Sequence, residues 1–199
     1  MLTRGKFVSA LSLAVLVAGI AQAQDKPRIA VIEFENQTDW WGNRLGTGVQ
    51  NMIVTELVKS QKWRVIEREK LNSVMKEQSL SLSGAVDTST LVKIGKILGL
   101  KYFLTGSITQ FDIKNSGFSF GVGHVGKTKK KVALDARLVN VETAEIEWAD
   151  TASDTDETTA VQVQGIGPDS GYDDEMVGEL LRNAVAKIVT AVNSKSGAK

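Results

Sequence analysis

Cysteine is absent from this 199-residue sequence, and histidine occurs once, at position 124. Without cysteine the chain has no disulfide, no thiolate metal site and no thiol nucleophile. A zinc site or a Ser-His-Asp triad would have to be built around His124, and no second imidazole or carboxylate lies near it in sequence. No catalytic constellation can be named, so we expect a protein that is not an enzyme and that carries no cofactor or metal.

An excess of charge of one sign is also missing. Lysine and arginine number 24 and aspartate and glutamate 23, so the net charge is +1. That balance provides no broad electrostatic attraction to DNA, RNA or anionic lipid, and we predict no nucleic-acid partner. Hydrophobic residues make up 42% and charged residues 24%, which is ordinary for a globular protein. The length fits one domain.

The first residues have the form of a signal peptide. A short basic start precedes an apolar run over residues 7–20, and Ala21-Gln-Ala23 is a small-x-small cleavage site. We therefore predict a signal peptide at residues 1–23. A retained membrane anchor is the alternative, although a spanning helix needs about 20 apolar residues. Residues 17–20 resemble a lipoprotein signal with isoleucine in place of its cysteine, so we predict export to the periplasm without lipidation. We expect the protein to be associated there with the outer membrane.

The apolar periodicity of the rest of the chain predicts alternating strands and helices. Strands are expected at residues 28–34, 63–66, 102–111, 132–141 and 145–149, and helices at 45–57, 67–78, 88–98 and 173–192. Leu104, Gly106, Ile108 and Gln110 are expected on one face of their strand. This order predicts a single α/β (α+β) sandwich, a mixed sheet with helices packed on it, over residues 24–194. Residues 195–199 are expected to form a loose tail.

Residues 121–128 read GVGHVGKT, which matches the phosphate-binding loop pattern letter for letter. Such a loop needs a helix directly after it, because backbone N–H groups at the helix N-terminus hold the phosphate. The following residues alternate and predict a strand instead. We therefore interpret the stretch as the tip of a β-hairpin, with its glycines serving the turn and His124 exposed to solvent.

Four stretches together resemble the curli production assembly/transport component family, the CsgG-like outer-membrane secretion proteins. They are residues 29–34, 65–71, 95–108 and 133–146. No one of these motifs is diagnostic, but together their order and spacing cover most of the mature chain, about residues 27–150. The resemblance implies a periplasmic α/β domain that forms a ring of identical subunits. In channel-forming members each subunit adds two β-hairpins to a shared transmembrane barrel, through which unfolded proteins are secreted.

The resemblance also implies a constriction loop between the first strand and the first helix. In this chain that loop is residues 36–44, with Trp40, Trp41 and Asn43 as candidates by position. Alternatively, the two tryptophans pack the loop onto the sheet.

The two membrane hairpins of the family would fall at about residues 112–131 and 150–172. Phe118, Phe120 and Val122 are the candidate lipid-facing residues of the first, because large apolar and small residues alternate there. Its return limb is crowded with lysines, and a lysine at the bilayer midplane costs about 2–4 kcal/mol. The second segment is short and its first half is acidic.

Two functions follow from these observations. The first is a curli-type assembly/transport component, a ring-forming subunit of an outer-membrane protein secretion channel. The alternative is a soluble periplasmic interaction module of the same fold, which binds an envelope protein partner without forming a pore. The order of the motifs favours the first. The lysine cluster, the acidic second segment and the absent lipidation cysteine favour the second.

Overall fold

The computed structural model describes residues 26–39, 43–77, 88–163 and 174–196. The predicted signal peptide lies outside these residues. In chain order the elements are β1 (Arg28–Val31), β2 (Glu35–Asn36), α1 (Asn43–Ser60), β3 (Arg64–Val65), α2 (Arg68–Glu77), α3 (Thr88–Leu98), β4 (Tyr102–Phe120), β5 (Gly123–Asn140), β6 (Ile146–Val163) and α4 (Asp174–Asn193).

The described strands form one mixed sheet in the order β3-β1-β4-β5-β6, with β2 also paired to β4. Strands β1, β2 and β3 run parallel to their neighbours, whereas β4, β5 and β6 form an antiparallel meander. Helices lie on both faces, so the predicted α+β sandwich with a mixed sheet is confirmed. Strand β1, between β3 and β4, is buried on both sides, with Ile29 and Ala30 fully inaccessible to solvent.

Helices α1 and α4 cover one face of the sheet and form the larger core. The apolar stripe predicted along α4 packs there, with Leu181 and Val185 buried beside Val49 and Ile53 of α1. Leu134 of β5 lies beneath them and is fully buried. Burying each large aliphatic side chain contributes about 2 kcal/mol, so this face carries most of the stability of the domain.

Helices α2 and α3 cover the opposite face over β1, the first residues of β4 and the last residues of β5. Leu71 and Ile94 pack on Phe103 of β4 and Val139 of β5. Helix α3 lies close to the sheet at Gly95, where an added Cβ would stand 2.6 Å from Val141. Gly99 follows α3 with a φ of 61°, the left-handed conformation that glycine tolerates at the end of a helix.

Strand β4 contains a β-bulge at Thr109, and the bulge corrects one sequence expectation. Ile108 pairs with Leu134, but Gln110 pairs with Ala133, which leaves Thr109 as an extra residue. An extra residue exchanges the faces to which all later side chains of the strand point. Gln110 therefore does not share a face with Ile108, and Phe111 takes the core position instead.

Strand β6 is longer than the sequence predicted. Residues 150–163, expected to begin a second hairpin, form one continuous strand paired with β5 from Ala136 to Gly123. Lysines on β5 and on α4 lie beside the acidic residues, and this charge pairing makes the acidic strand favourable. Residues 164–172, the rest of that predicted hairpin, lie outside the described residues.

Beyond the helices, β4, β5 and β6 continue together as a three-stranded projection, which we call the extension. It comprises residues 112–131 and 155–163. The first hairpin predicted at residues 112–131 thus has both its limbs, and β6 adds a third strand along its whole length.

Candidate functional site

The stretch that resembles a phosphate-binding loop is the tip of the extension. Gly121 lies in the turn between β4 and β5 with a φ of 53°, and residues 123–128 belong to β5. A strand follows the glycines instead of a helix, so the stretch lacks the helix N-terminus that holds phosphate in such loops. His124 is exposed, as predicted, and its Nδ1 lies 3.0 Å from the hydroxyl of Ser119.

The three candidate membrane residues are all exposed at this tip. Phe118 is 64% exposed, Phe120 51% and Val122 69%. The centroids of the two phenylalanine rings lie 5.3 Å apart. Both rings are on the same face because the residues are spaced i, i+2 on a strand. Gly123 is directly opposite Phe120, and an added Cβ there would stand 2.8 Å from the ring. Glycine thus lets the ring lie across the neighbouring strand.

The register of the extension sorts its charges by face. Cross-strand partners point to the same side of a sheet. Lysines lie on the face that carries the two phenylalanines, whereas acidic residues of β6 lie mostly on the α4 side. The lysines of the phenylalanine face are Lys114, Lys127, Lys129 and Lys131, and the acidic residues of the α4 side are Asp150, Asp154 and Asp156.

The phenylalanine face continues towards the helices as an open, polar surface, which we call the open face. No described helix packs over it between β4 and β6, because α2 and α3 pack further along the strands, on Phe103, Val139 and Val141. Arg137, Thr151 and Ser153 are exposed there. The hydroxyl of Thr151 donates a hydrogen bond of 2.6 Å to the carboxylate of Asp135. Such a row of hydroxyls and charged groups is suited to binding a polar partner.

A cleft of about 650 Å³ lies on the open face where the bulge interrupts β4. Its walls come from Thr109 and Gln110 at the bulge, from Lys131 and Ser153 on the neighbouring strands, and from residues 37–39 after β2. The bulge opens this space because it separates β4 locally from the regular ladder. Sequence periodicity missed the cleft, since a bulge depends on how two strands pair.

A family model described as "Curli production assembly/transport component CsgG" matches residues 12–198. The chain belongs to the CsgG family. It is 28% identical over 159 residues to a Neisseria meningitidis protein named as a candidate lipoprotein, covering 76% of this chain and 67% of that protein.

Two solved structures show the same fold at lower sequence identity. The hypothetical protein CT253 from Chlamydia trachomatis superposes with a TM-score of 0.52 at 12% identity, over 87% of this chain and 99% of that one. The lipoprotein GNA1162 from Neisseria meningitidis gives a TM-score of 0.50 at 16% identity, over 82% and 99%.

In this member of the CsgG family, β6 is attached to the body of the domain. The ammonium of Lys187 on α4 donates to the backbone oxygen of Ser153 at 2.7 Å and to the carboxylate of Asp154 at 2.8 Å. Asn183 donates to the same carboxylate at 2.9 Å. The hydrogen bond from Lys187 holds the pKa of Asp154 below its usual value. The acidic strand is therefore fixed to α4 as well as to β5.

Within the predicted constriction loop, residues 36–44, the stretch 40–42 lies outside the described residues. Trp40 and Trp41 lie outside them, and Asn43 is the first residue of α1. Asp39, the last described residue before the two tryptophans, lines the cleft. The role of these three residues in this family member stays a prediction.

A buried tyrosine closes the body end of the antiparallel strands. The hydroxyl of Tyr102 donates to the carboxylate of Glu147 at 2.9 Å, and Asn140 donates to the other oxygen of that carboxylate. Burial, together with the neighbouring Glu147 carboxylate, raises the pKa of Tyr102 to about 12. The group stays neutral at physiological pH and has a structural role, since it ties the turn between β5 and β6 to β4.

Within the described residues, none of the helices is both long and apolar enough to span a bilayer. In the same part of the chain, no three histidine, aspartate or glutamate side chains come together to form a metal site.

Proposed function

We propose that the protein is a periplasmic interaction module of the CsgG family, which binds an envelope protein partner through the open face and forms no pore. The proposal assigns the chain a binding role and no catalysis. Membership of a family described as assembly and transport components supports a function in the cell envelope. Two similar proteins carry the word lipoprotein in their names, which agrees with that location.

The observation that carries the proposal is the position of β6. A channel subunit of this family would use the segment after the β5–β6 turn for a second membrane hairpin. Here residues 150–163 form a strand that pairs with β5 along its whole length and bonds to α4 through Asp154. Releasing this segment would break its ladder with β5 and expose the acidic side chains to lipid, which is strongly unfavourable.

The lysines of the extension support the same function. Lys127 and Lys129 lie on the face that also carries Phe118, so a bilayer-spanning extension would place both in the hydrocarbon. Each would cost about 2–4 kcal/mol at the midplane of a barrel wall.

A ring-forming channel subunit remains the second candidate, because the family match extends over residues 12–198. It requires a fixed number of subunits and retention in the membrane. The mass of the purified protein in solution and an alkaline carbonate wash of the outer membrane separate the two candidates. A ring that stays in the washed membrane would establish the channel, whereas release into the wash supports the module.

Site-specific photocrosslinking tests the partner surface. A photoreactive side chain would replace Ser153 on the open face and, as the matched control, Lys93 on the exposed surface of α3. In living cells we expect one envelope protein to be crosslinked from position 153 and not from position 93. Equal products from both positions, or products from position 93 alone, would contradict binding through the open face.

A further inference from the structure

The tip of the extension has an apolar surface that nothing in the described residues covers. Phe118, Val125 and Val161 stand side by side on the three strands, and Phe120 follows on the same face. Val161 is 51% exposed, comparable with Phe120. Together with Val122 in the turn, these side chains form a continuous apolar patch, which we call the apolar tip.

The opposite face of the tip carries small and polar side chains instead of large apolar ones. Gly126, Thr128 and Ala160 lie there and are buried, with Thr128 only 1% exposed. The tip is therefore two-sided: one side has small and polar residues, among which Ser119 and His124 are exposed, and the other side ends in phenylalanines. A solvent-facing hairpin without a ligand has no need of two adjacent exposed aromatic rings, and exposed apolar patches usually mark binding surfaces.

A belt of lysines lies directly behind the apolar tip on the same face. Lys127 is opposite Ser116, two residues before Phe118, and Lys129 is opposite Lys114, four residues before it. At about 3.3 Å per residue, these levels are about 7 and 13 Å from the Phe118 ring position.

The belt keeps a positive charge despite nearby carboxylates. Glu157 forms an ion pair of 2.9 Å with Lys127, and Asp112 stands opposite Lys131. The four lysines of this face outnumber its two carboxylates, which leaves an excess of two positive charges. The near neutrality of the whole chain hides this local excess, because the remaining acidic residues of β6 point to the α4 side.

We propose that the apolar tip inserts into one leaflet of an anionic phospholipid bilayer, with Lys114, Lys127 and Lys129 on the headgroups. The dimensions fit a shallow contact. The strand from residue 118 to the turn at 121 is about 10 Å long, which matches the 5–10 Å depth of an interfacial anchor and falls far short of the roughly 30 Å hydrocarbon core. Long lysine side chains can keep their stems along the apolar surface and their ammonium groups among the phosphates.

The absence of cysteine from the chain makes a direct test possible, because a single introduced thiol can carry an environment-sensitive fluorophore. We would label the full-length variants Val122→Cys at the tip and Asn72→Cys on the exposed surface of α2. Vesicles of phosphatidylglycerol mixed with phosphatidylcholine should raise the emission of the tip label severalfold and shift it to the blue. Vesicles of phosphatidylcholine alone should have a much smaller effect, and the label at position 72 should respond to neither.

Charge variants in the labelled protein test the lysine belt. Lys127→Gln with Lys129→Gln should weaken partitioning onto the anionic vesicles by roughly 10- to 25-fold, since each lysine at an anionic surface contributes about fivefold. The matched control, Lys93→Gln with Lys96→Gln on α3, removes the same charge away from the tip and should leave partitioning unchanged. Raising salt from about 0.1 M to about 1 M should release the wild-type tip, because the Debye length falls from about 10 Å to about 3 Å.

A second pair of variants tests the apolar contact without touching charge. Phe118→Ser with Phe120→Ser should abolish the tip signal, whereas Val58→Ser with Ile97→Ser, at exposed apolar positions elsewhere, should preserve it. Residues 7–20 are common to every variant, so any binding they contribute is constant across the series. Circular dichroism would confirm that each variant is folded.

Two results would overturn the proposal. One is a tip label that responds equally to neutral and anionic vesicles. The other is a tip emission that rises with protein concentration in the absence of vesicles, which would identify a second copy of the chain as the occupant of the apolar tip.

Discussion

Replacing Asp154 with asparagine tests how firmly β6 is held to the body of the domain. The carboxylate accepts hydrogen bonds from Lys187 at 2.8 Å and Asn183 at 2.9 Å. The side chain of Lys187 is 53% exposed and that of Asp154 21%, so solvent screens much of the attraction. We therefore expect a loss of about 1 kcal/mol in the free energy of unfolding, in the range of exposed ion pairs and of single hydrogen bonds to charged groups.

The loss should depend on pH in a defined direction. The pKa of Asp154 is lowered in the folded protein, so its contribution is fully present above the unfolded value of about 3.9. It disappears as the pH falls through the folded pKa, because the protonated acid no longer pairs with Lys187. The wild-type protein and Asp154→Asn should thus differ at neutral pH and converge in strong acid.

Urea denaturation followed by circular dichroism at the two pH values measures this difference. At neutral pH a loss of about 1 kcal/mol corresponds to a melting temperature lower by about 2–4 °C for a domain of this size. Asp150→Asn is the matched control, because Asp150 is exposed and accepts only the adjacent amide of Thr151 among the described contacts. If the stability gap of Asp154→Asn is the same in acid as at neutral pH, the electrostatic account is wrong.

The remaining predictions concern two helical glycines and the buried Tyr102. Gly95→Ala should destabilise the domain by about 1–3 kcal/mol, because the new methyl would stand 2.6 Å from Val141. Gly48 on α1 has free space around it, so Gly48→Ala should stabilise the domain by about 0.5–1 kcal/mol. Thermal denaturation should therefore show a lower melting temperature for Gly95→Ala and a higher one for Gly48→Ala. Tyr102 should ionise at about pH 12 in a spectrophotometric titration. The contribution of Tyr102 to stability should be fully present below its unfolded pKa of about 10 and be lost as the pH rises towards 12. Glu147→Gln should lower the folded pKa of Tyr102 and so narrow the pH range over which this contribution is lost.

The sequence predicted the elements whose signals are local. The spacing of apolar residues along α4, and the buried run of β1, depend on residues close together in the chain. Helix α4 lies where it was expected, whereas β1 begins at the predicted residue and ends at Val31, three residues early. Gly99 likewise ends α3 through its own backbone conformation. The family resemblance was carried by the same regular segments, which explains why it agrees with the family match.

The sequence did not predict features that arise from pairing between distant segments. The bulge at Thr109 exists only because β4 and β5 pair with different residue counts, so Gln110 was placed on the wrong face. The acidic half of β6 has a weak strand propensity, and its structure comes from partners such as Lys187, which lies 33 residues beyond Asp154.

The candidate site likewise combines features that the sequence predicted with features that it did not predict. Phe118, Phe120 and Val122 were predicted as candidate lipid-facing residues from the family resemblance and from their alternation with small residues. Their alignment with Val161 and with the lysines required the strand register, which the sequence does not contain. The open face and its cleft were missed for that reason.

The unbroken passage of β4, β5 and β6 from the body into the extension restricts how this protein can change in length. Neighbouring side chains of a strand point to opposite faces. Adding one residue to β5 between Val125 and Val132 would therefore move either the side chains of the tip or those of the core part of the strand to the other face of the sheet. Adding two residues to each strand at once preserves both faces. Relatives should therefore differ in the reach of the extension by steps of two residues per strand. An odd step would need a compensating bulge, such as the one at Thr109.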